Sequence, residues 1–531
     1  MVWLAAVATG LLLAFSFAPL EYADTAWMAL APLIVALRFV SARNGFRLGL
    51  LAGAVFWLVS VSWLHHVSIA GWILMALYCG LYVGVFAWGC GQWLNRFGAA
   101  NSIVNAGFII FAATLWTALE YVRSHFATGF AWNGLGISQY RNLAIIQIAS
   151  LGGSYAVSFL IVWVSAAVGI TILRYVDTWG HWGRRLHLEM MLGFLVLALV
   201  FVWGVKAIRN PPANATPVRI SLVQPGIPQD EKWDQEKMDL IYGRLRELTT
   251  AALRTGKPDL LVWPETAVPD DVRNSASSYD LVYEIVTNGI PLLVGSMDTA
   301  WQDSGSPVYY NSSFLFDPEG GIAFAYDKQH LVPFGEYVPM RHIFPFMKAM
   351  TPIQESFDEG HTGTVFRLAS PEVAFSVLIC FEDTIAHLAR KMVLNGARML
   401  VNQTNDAWFD PSAASRQHMA HCVFRCVENG VPAVRSANSG VTCHINRRGQ
   451  VEDILDDGAG HTLTHGFLTV EVMVAGADMP LTWYTQHGDV FAWVCVLVAT
   501  VIMLLLRLVR PRRPCVAGEE VPRSAAVAPT A

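Results

Sequence analysis

The sequence predicts a polytopic α-helical membrane domain, with about eight transmembrane helices, joined to one α/β domain in water. Three observations predict it. The 531 residues are 54% apolar and 15% charged, with 19 Trp, and a mean hydropathy of +0.41 is too high for a soluble chain of ordinary composition. Charge is unevenly spread: residues 1–209 hold 11 Lys/Arg against 5 Asp/Glu, residues 210–478 hold 20 against 33, and the remainder 5 against 3. The blocks therefore carry +6, −13 and +2. Third, eight apolar runs approach the roughly 20 residues that cross a hydrocarbon core. Disorder, collagen and a disulfide-stapled miniprotein are excluded, and no basic patch points to nucleic acid.

The runs fall at 1–19, 26–40, 48–65, 69–94, 103–122, 143–173, 188–208 and 488–509. The second is short and the sixth long. The first lacks a basic leader and is followed by further spans, which reads as a retained helix rather than a cleaved signal. Lys and Arg beside spans tend to stay cytoplasmic. With the N-terminus inside, Arg38, Arg43, Arg47, Arg96, Arg174, Arg184, Arg185, Arg507, Arg510, Arg512 and Arg513 all lie on that side. Seven spans then precede the acidic block, which sits outside the cytoplasm and, in a bacterium with two membranes, in the periplasm. The expected organisation is a transmembrane domain at 1–209, a water-facing domain at 217–476, a last span at 488–509 and a disordered tail at 514–531. Glu120, near the end of the fifth span, is either functional or an i,i+3 partner of Arg123.

In the water-facing block, 219–223, 259–263, 290–294, 373–379 and 399–401 read as buried strands. Helical patterns at 234–255, 276–288, 384–395 and 412–429 alternate with them. Near-continuous apolar strands suit sheets covered on one face by helices and on the other by a second sheet. The residues around 210–214 and 477–482 read as linkers.

Eight cysteines include no CxxC pair, so neither a zinc ribbon nor a thioredoxin-type site is expected. Cys79, Cys90 and Cys495 fall in spans and Cys515 in the tail. His418, His421, Cys422 and Cys426 share a predicted helix at metal-compatible spacing. The reading preferred for them is packing cysteines with surface histidines, and no metal is expected.

Three strand ends carry the chemistry. Cys380 follows an apolar strand and precedes a predicted helix, where backbone N–H groups can favour a thiolate and hold an oxyanion. Glu265 ends the strand in Trp263-Pro264-Glu265-Thr266-Ala267, and Lys328 follows a strand at 321–325. A Glu, a Lys and a Cys at successive strand ends can converge at one sheet edge. There Glu265 can accept the thiol proton and Lys328 can stabilise an oxyanion.

With these fragments in place the sequence resembles the nitrilase superfamily, whose Glu, Lys and Cys triad sits on an αββα sandwich. More narrowly it resembles the membrane branch, the apolipoprotein N-acyltransferases. The resemblance covers nearly the whole chain: Gln224 to Gln229 with Lys232-Trp233-Asp234, Trp263 to Ala267, Lys328 to Pro339 and Ile379 to Glu382. It continues through Asn405 to Phe409, Gln417-His418, Arg435-Ser436 and Asn438 to Gly440, with Gly129-Phe130-Ala131-Trp132 in the membrane block.

The resemblance implies transfer of an sn-1 acyl chain from a phospholipid, typically phosphatidylethanolamine, to Cys380 as a thioester. The α-amine of a diacylglyceryl-cysteine that begins an apolipoprotein then takes the chain. No cofactor or metal is implied. Glu265 matches the base, Lys328 the oxyanion-stabilising lysine and Cys380 the nucleophile. Glu336, Trp233 and Glu382 match supporting residues, and Phe381 replaces the usual Tyr while its backbone N–H can still serve the oxyanion. After Pro339, the apolar segment containing Phe344, Phe346 and Met347 either dips into the outer leaflet or covers the acyl chain, the preferred reading, or packs on the domain's own core.

Two rivals keep part of this pattern. A membrane-tethered amidase would share the triad, but a tether needs one span. A transporter should show paired ionisable residues or broken helices around a midplane site, and little beyond Glu120 does so.

Overall fold

The computed structural model describes residues 1–99, 101–177, 187–209, 214–301, 305–338, 356–409, 411–457 and 464–509. The apolar N-terminal block forms α1 (Val2–Phe15), α2 (Ala31–Leu37), α3 (Ala42–Ser60), α4 (Ile69–Phe97), α5 (Ser102–His125), α6 (Leu143–Ile146), α7 (Ala149–Asp177) and α8 (Leu188–Ile208). Polar residues in the short loops start three of these helices by accepting backbone N–H groups that lack a partner in the first turn. Ser41 accepts from Asn44 N, Ser68 from Gly71 N, and Asn101 from Ile103 N and Val104 N.

Helices α3 and α4 meet through small residues. A Cβ on Gly49 would lie 2.5 Å from the Ala87 Cβ, and one on Gly53 2.7 Å from the Gly80 Cα. Close approach of this kind supplies the dispersion contact that hydrophobicity cannot supply between helices in lipid.

Of the eight expected spans, α4, α5, α7, α8 and the C-terminal helix at 490–508 are long and apolar enough to cross a membrane. The other three differ for visible reasons. The second run breaks into a 3-10 turn at Ala23–Trp27 and the seven-residue α2, whose rise of about 10 Å is a third of a bilayer core; Leu33, Ile34 and Leu37 are instead buried inside the bundle. Helix α1 has only 14 residues, and α3 carries Arg43 and Arg47 in its first turns. The long sixth run divides into α6 and α7, and α7 itself kinks at Gly152 and Gly153. Gly153 has φ +67°, and the Tyr484 ring lies 2.8 Å from where its Cβ would be.

The water-facing block contains strands β1 (Ala215–Gln224), β2 (Leu260–Val262), β3 (Val268–Asp271), β4 (Leu292–Trp301), β5 (Pro307–Phe316), β6 (Ile322–Asp327) and β7 (Phe366–Ala369). They are followed by β8 (Glu372–Ile379), β9 (Met399–Thr404), β10 (Ala433–Ala437), β11 (Cys443–Ile445), β12 (Val451–Ile454) and β13 (Gly466–Ala475). Helices α9 (Met238–Thr255), α10 (Ala276–Val286), α11 (Ala386–Leu394) and α12 (Ala414–Asn429) lie between them, and α13 (Trp483–His487) leads into α14 (Val490–Leu508).

One sheet runs β13-β1-β2-β4-β5-β6 with β3 beside β4, the other β12-β11-β10-β9-β8-β7. At the centre of each, β1, β2 and β4 are parallel, as are β8, β9 and β10. The sheets stack through polar ties: Ser436 Oγ donates to the carbonyls of Val223 and Val262, and Gln403 Nε2 donates to that of Trp263. Helix α9 buries Ile241, Leu245 and Leu248 against the first sheet. Helix α12 sets Cys426 Sγ against the Ile445 carbonyl of β11 in the second sheet and also packs on α7, so one core runs from the bundle into the α/β domain.

That double packing corrects one expectation. His418 and His421 are buried rather than surface residues, because α12 has protein on both sides. The expected tail with Cys515, the residues 210–213 and the segment with Phe344, Phe346 and Met347 lie outside the described residues, as do Arg184 and Arg185.

Candidate active site

Each of the three expected side chains stands where a strand stops: Glu265 three residues after β2, Lys328 directly after β6, and Cys380 directly after β8. Strand ends place a side chain at a sheet edge while its backbone stays anchored. Lys328 is pinned on both sides, its N–H donating to the Asn311 carbonyl at 2.9 Å and its carbonyl accepting from Gly360 N at 2.8 Å. Cys380 has φ +52°, a left-handed conformation that costs a non-glycine residue on the order of 1 kcal/mol. It turns the chain sharply from strand into the 3-10 turn Cys380–Thr384. Thr266, just after Glu265, shows the same feature at φ +42°.

The acidic and basic groups converge. Lys328 Nζ lies 2.9 Å from Glu336 Oε1 and 3.3 Å from Glu265 Oε1. Asn311 Nδ2 donates to the same two carboxylates, at 2.8 Å to Glu265 and 2.9 Å to Glu336. Glu336 Oε2 also accepts Val332 N at 2.8 Å. Burial alone would lower the Lys328 pKa, but the charges of Glu336 and Glu265 outweigh it and hold the ammonium well above its ordinary range. Burial, reinforced by Glu265, pushes the Cys380 thiol well above 9 against the pull of Lys328. The resting sulfur is therefore a protonated thiol that needs a base, with a carboxylate and a fixed cation close by.

Glu382 does not point at the thiol chemistry; it braces the loops around it. Its carboxylate accepts from Ile379 N, Gln329 N, His330 N and the Tyr326 hydroxyl at 2.7–3.1 Å. Burial raises it to about 7 against those backbone donors. Phe381 is stacked between Trp132, 6.0 Å away at 4°, and His330, 5.9 Å away at 20°. Trp233 is 46% exposed, neither a core aromatic nor bonded to the triad.

Glu120 is not paired with Arg123. It accepts Trp116 Nε1 at 2.8 Å and Leu135 N at 2.7 Å, while Arg123 Nη1 holds the Phe130 and Trp132 carbonyls. Both residues shape the loop that presents Trp132. A cavity of about 230 Å³ opens beside this loop, bordered by Arg123, His330, Thr384 and His421; none of Glu265, Lys328 and Cys380 lines it.

Several residues had no role in the sequence reading. His418 Nε2 donates to the Cys380 carbonyl at 3.1 Å and sits 2.8 Å from Asp383 Oδ1, while its Nδ1 sits 2.9 Å from Asp406 Oδ1. Arg435 pairs with the other oxygen of Asp383. Burial opposes charge on His418, but Asp383 and Asp406 raise it to about 10, an imidazolium behind Cys380. Gln417 Oε1 accepts Trp63 Nε1 and Trp132 Nε1, and its Nε2 donates to the Ala18 and Ser60 carbonyls. It ties the α/β domain to three parts of the bundle. Lys232 Nζ, in a side chain only 2% exposed, donates to the Glu265 carbonyl at 3.0 Å. Cys422 and Cys426 are packed in α12, and among the described residues no cluster of three His, Cys, Asp or Glu is arranged for a metal ion.

A Glu, Lys and Cys gathered at strand ends of two stacked sheets, on a domain fused into a helical membrane block, define a membrane enzyme of the carbon–nitrogen hydrolase class. Residues 219–470 match the carbon-nitrogen hydrolase family, and residues 9–167 match the apolipoprotein N-acyltransferase N-terminal domain. The chain is 37% identical over 528 residues to the apolipoprotein N-acyltransferase of Geobacter metallireducens, covering 95% of each. It is 30% identical to that of Chlorobaculum tepidum over 94% of this chain and 95% of the relative. With that of Gloeobacter violaceus it shares 29% over 96% and 94%. The chain belongs to the apolipoprotein N-acyltransferase family.

Proposed function

We propose that this protein moves a fatty acyl chain from a phospholipid to the N-terminal amine of a diacylated apolipoprotein, through a thioester on Cys380. The observation that carries the reading is the convergence of Glu265 and Glu336 on Lys328, each with a carboxylate oxygen within 3.3 Å of its Nζ, beside the Cys380 thiol, which burial and Glu265 push up and Lys328 pulls down. The hydrophobic helices that flank the α/β domain keep this cluster beside lipid.

In the first half-reaction Glu265 accepts the thiol proton as sulfur attacks the ester carbonyl. Lys328 and the Phe381 N–H face the developing oxyanion, and Glu336 keeps Lys328 charged and oriented. The tetrahedral species expels the lysophospholipid hydroxyl, which takes its proton from Glu265. In the second half-reaction the acceptor amine attacks the thioester, the C–S bond breaks and the thiolate recovers a proton through Glu265. Glu382 holds the loop after Lys328 against the end of β8, and Trp233 contributes from the exposed rim.

The domain division at 1–209, 217–476 and 488–509 belongs to the same reading. The arginine bias of the loops orients the catalytic domain to the periplasmic side of the inner membrane. Purified protein in detergent, given a phospholipid with a labelled sn-1 chain and a diacylated lipopeptide, is expected to label the peptide's α-amine. Label on water as free fatty acid, with none on peptide, would favour a membrane-tethered amidase or hydrolase instead.

A further inference from the structure

The proton count of the two half-reactions differs, and the site contains a group suited to the difference. In acylation the thiol gives up one proton and the departing alcohol takes one, so Glu265 suffices. In N-acylation the acceptor arrives as an ammonium with three N–H bonds and leaves as an amide with one. As the C–N bond forms and the C–S bond breaks, one proton returns to sulfur through Glu265. The second needs another base.

We infer that Lys232, in its neutral form, accepts this second proton and so serves the amine half-reaction specifically. Lys232 is 2% exposed, and its Nζ is fixed 3.0 Å from the Glu265 carbonyl. That one N–H anchors the nitrogen and leaves its lone pair available when the group is neutral.

The loop holding Lys232 is itself pinned. Glu231 N and Lys232 N both donate to the Pro228 carbonyl, and Gln229 Oε1 accepts Asn405 Nδ2 at 2.8 Å. The titratable groups whose charge acts on Lys232 are Glu265 and Cys380; Asp230, Glu231 and Asp234 flank it on its own loop.

The chemistry of the base fits the acceptor. Burial lowers Lys232 to about 8 against the attraction of Glu265 and Cys380, beside the roughly 7.7–8.0 of an α-amino group. Lys328, bridged by two carboxylates, stays charged and cannot take this proton. Lys232 can then lose it toward water along its own loop, where the adjacent Trp233 is half-exposed.

The inference rests on the thioester reading of Cys380, and the experiment separates the two. Full-length protein is loaded with acyl chain from phospholipid, freed of lysophospholipid, and mixed with one of two lipopeptides: an α-amine or an α-aminooxy acceptor. The aminooxy group is neutral at pH 7 and brings no extra proton. Lys232→Met and Lys232→Arg are compared with wild type; the arginine keeps charge and hydrogen bond but cannot deprotonate.

Both variants are expected to lose about 100-fold in rate with the amine acceptor and to recover to within about threefold of wild type with the aminooxy acceptor. Recovery of amine transfer by Lys232→Arg would overturn the inference in favour of a positioning role, as would an equal loss with both acceptors. Failure of wild type to form any thioester would defeat the reading of Cys380 itself.

Discussion

Phe381 lies flat against Trp132, with ring centroids 6.0 Å apart and planes at 4°. The residue after the proposed nucleophile thus rests on a membrane-block loop, and that loop is held by Arg123 and by Gln417. Trp132→Ala removes the stack, about 1 kcal/mol beyond lost burial, and the indole bond to Gln417. Turnover is expected to drop about tenfold or more, with Trp132→Phe retaining most of the activity. Steady-state rates with phospholipid and lipopeptide test this; an unaffected alanine variant would show that the loop does not position Phe381.

Lys328 and Glu336 form a charged pair at 2.9 Å, so removing either should disable oxyanion stabilisation. Lys328→Met and Glu336→Gln are each expected to slow thioester formation at least 100-fold, on the order of 3 kcal/mol. Asn311→Ala, which strips a donor from both carboxylates, should fall between them and wild type. Quenched-flow measurement of lysophospholipid release reads these rates directly.

Glu265→Gln should slow both half-reactions, because the same carboxylate serves sulfur twice. A loss of about 10²–10⁴ in each is expected. A defect confined to acylation, seen by supplying preloaded enzyme with lipopeptide, would remove Glu265 from the second step.

The charge on His418 gives a stability signature. Its folded value of about 10 lies above the ordinary 6.5, so its contribution is fully present below pH 6.5 and is lost as pH rises toward 10. Thermal melts of wild type and His418→Gln should differ most at pH 6.5 or below, by about 3 kcal/mol for a broken buried pair, and converge by pH 10. A difference independent of pH would mean that His418 is neutral.

The three candidate residues were legible because apolar strands end abruptly in polar residues, and the structure places Glu265, Lys328 and Cys380 at such ends. The sequence did not display β5, whose Asn311-Ser312-Ser313 stretch interrupts an otherwise strand-like run, and with it the bridging amide of Asn311 was missed. Periodicity found α12, but its second packing surface comes from the bundle, so nothing local marked His418 and His421 as buried. Lys232 stands between acidic residues in a polar turn, where lysines usually face water; only the folding of that turn over Glu265 buries it. The break of the second run into a 3-10 turn and the short α2 was not legible, because a hydropathy run does not mark where a helix is interrupted.

A covalent acyl intermediate on Cys380 is the central claim. The most direct measurement is mass spectrometry of the intact and proteolysed protein after mixing with phospholipid alone, alongside the amount of lysophospholipid released. One acyl adduct per chain is expected, on Cys380, with a stoichiometric burst of lysophospholipid and neither in Cys380→Ala. Lysophospholipid release that depends strictly on added apolipoprotein, even in the first turnover and with no adduct on Cys380, would contradict it.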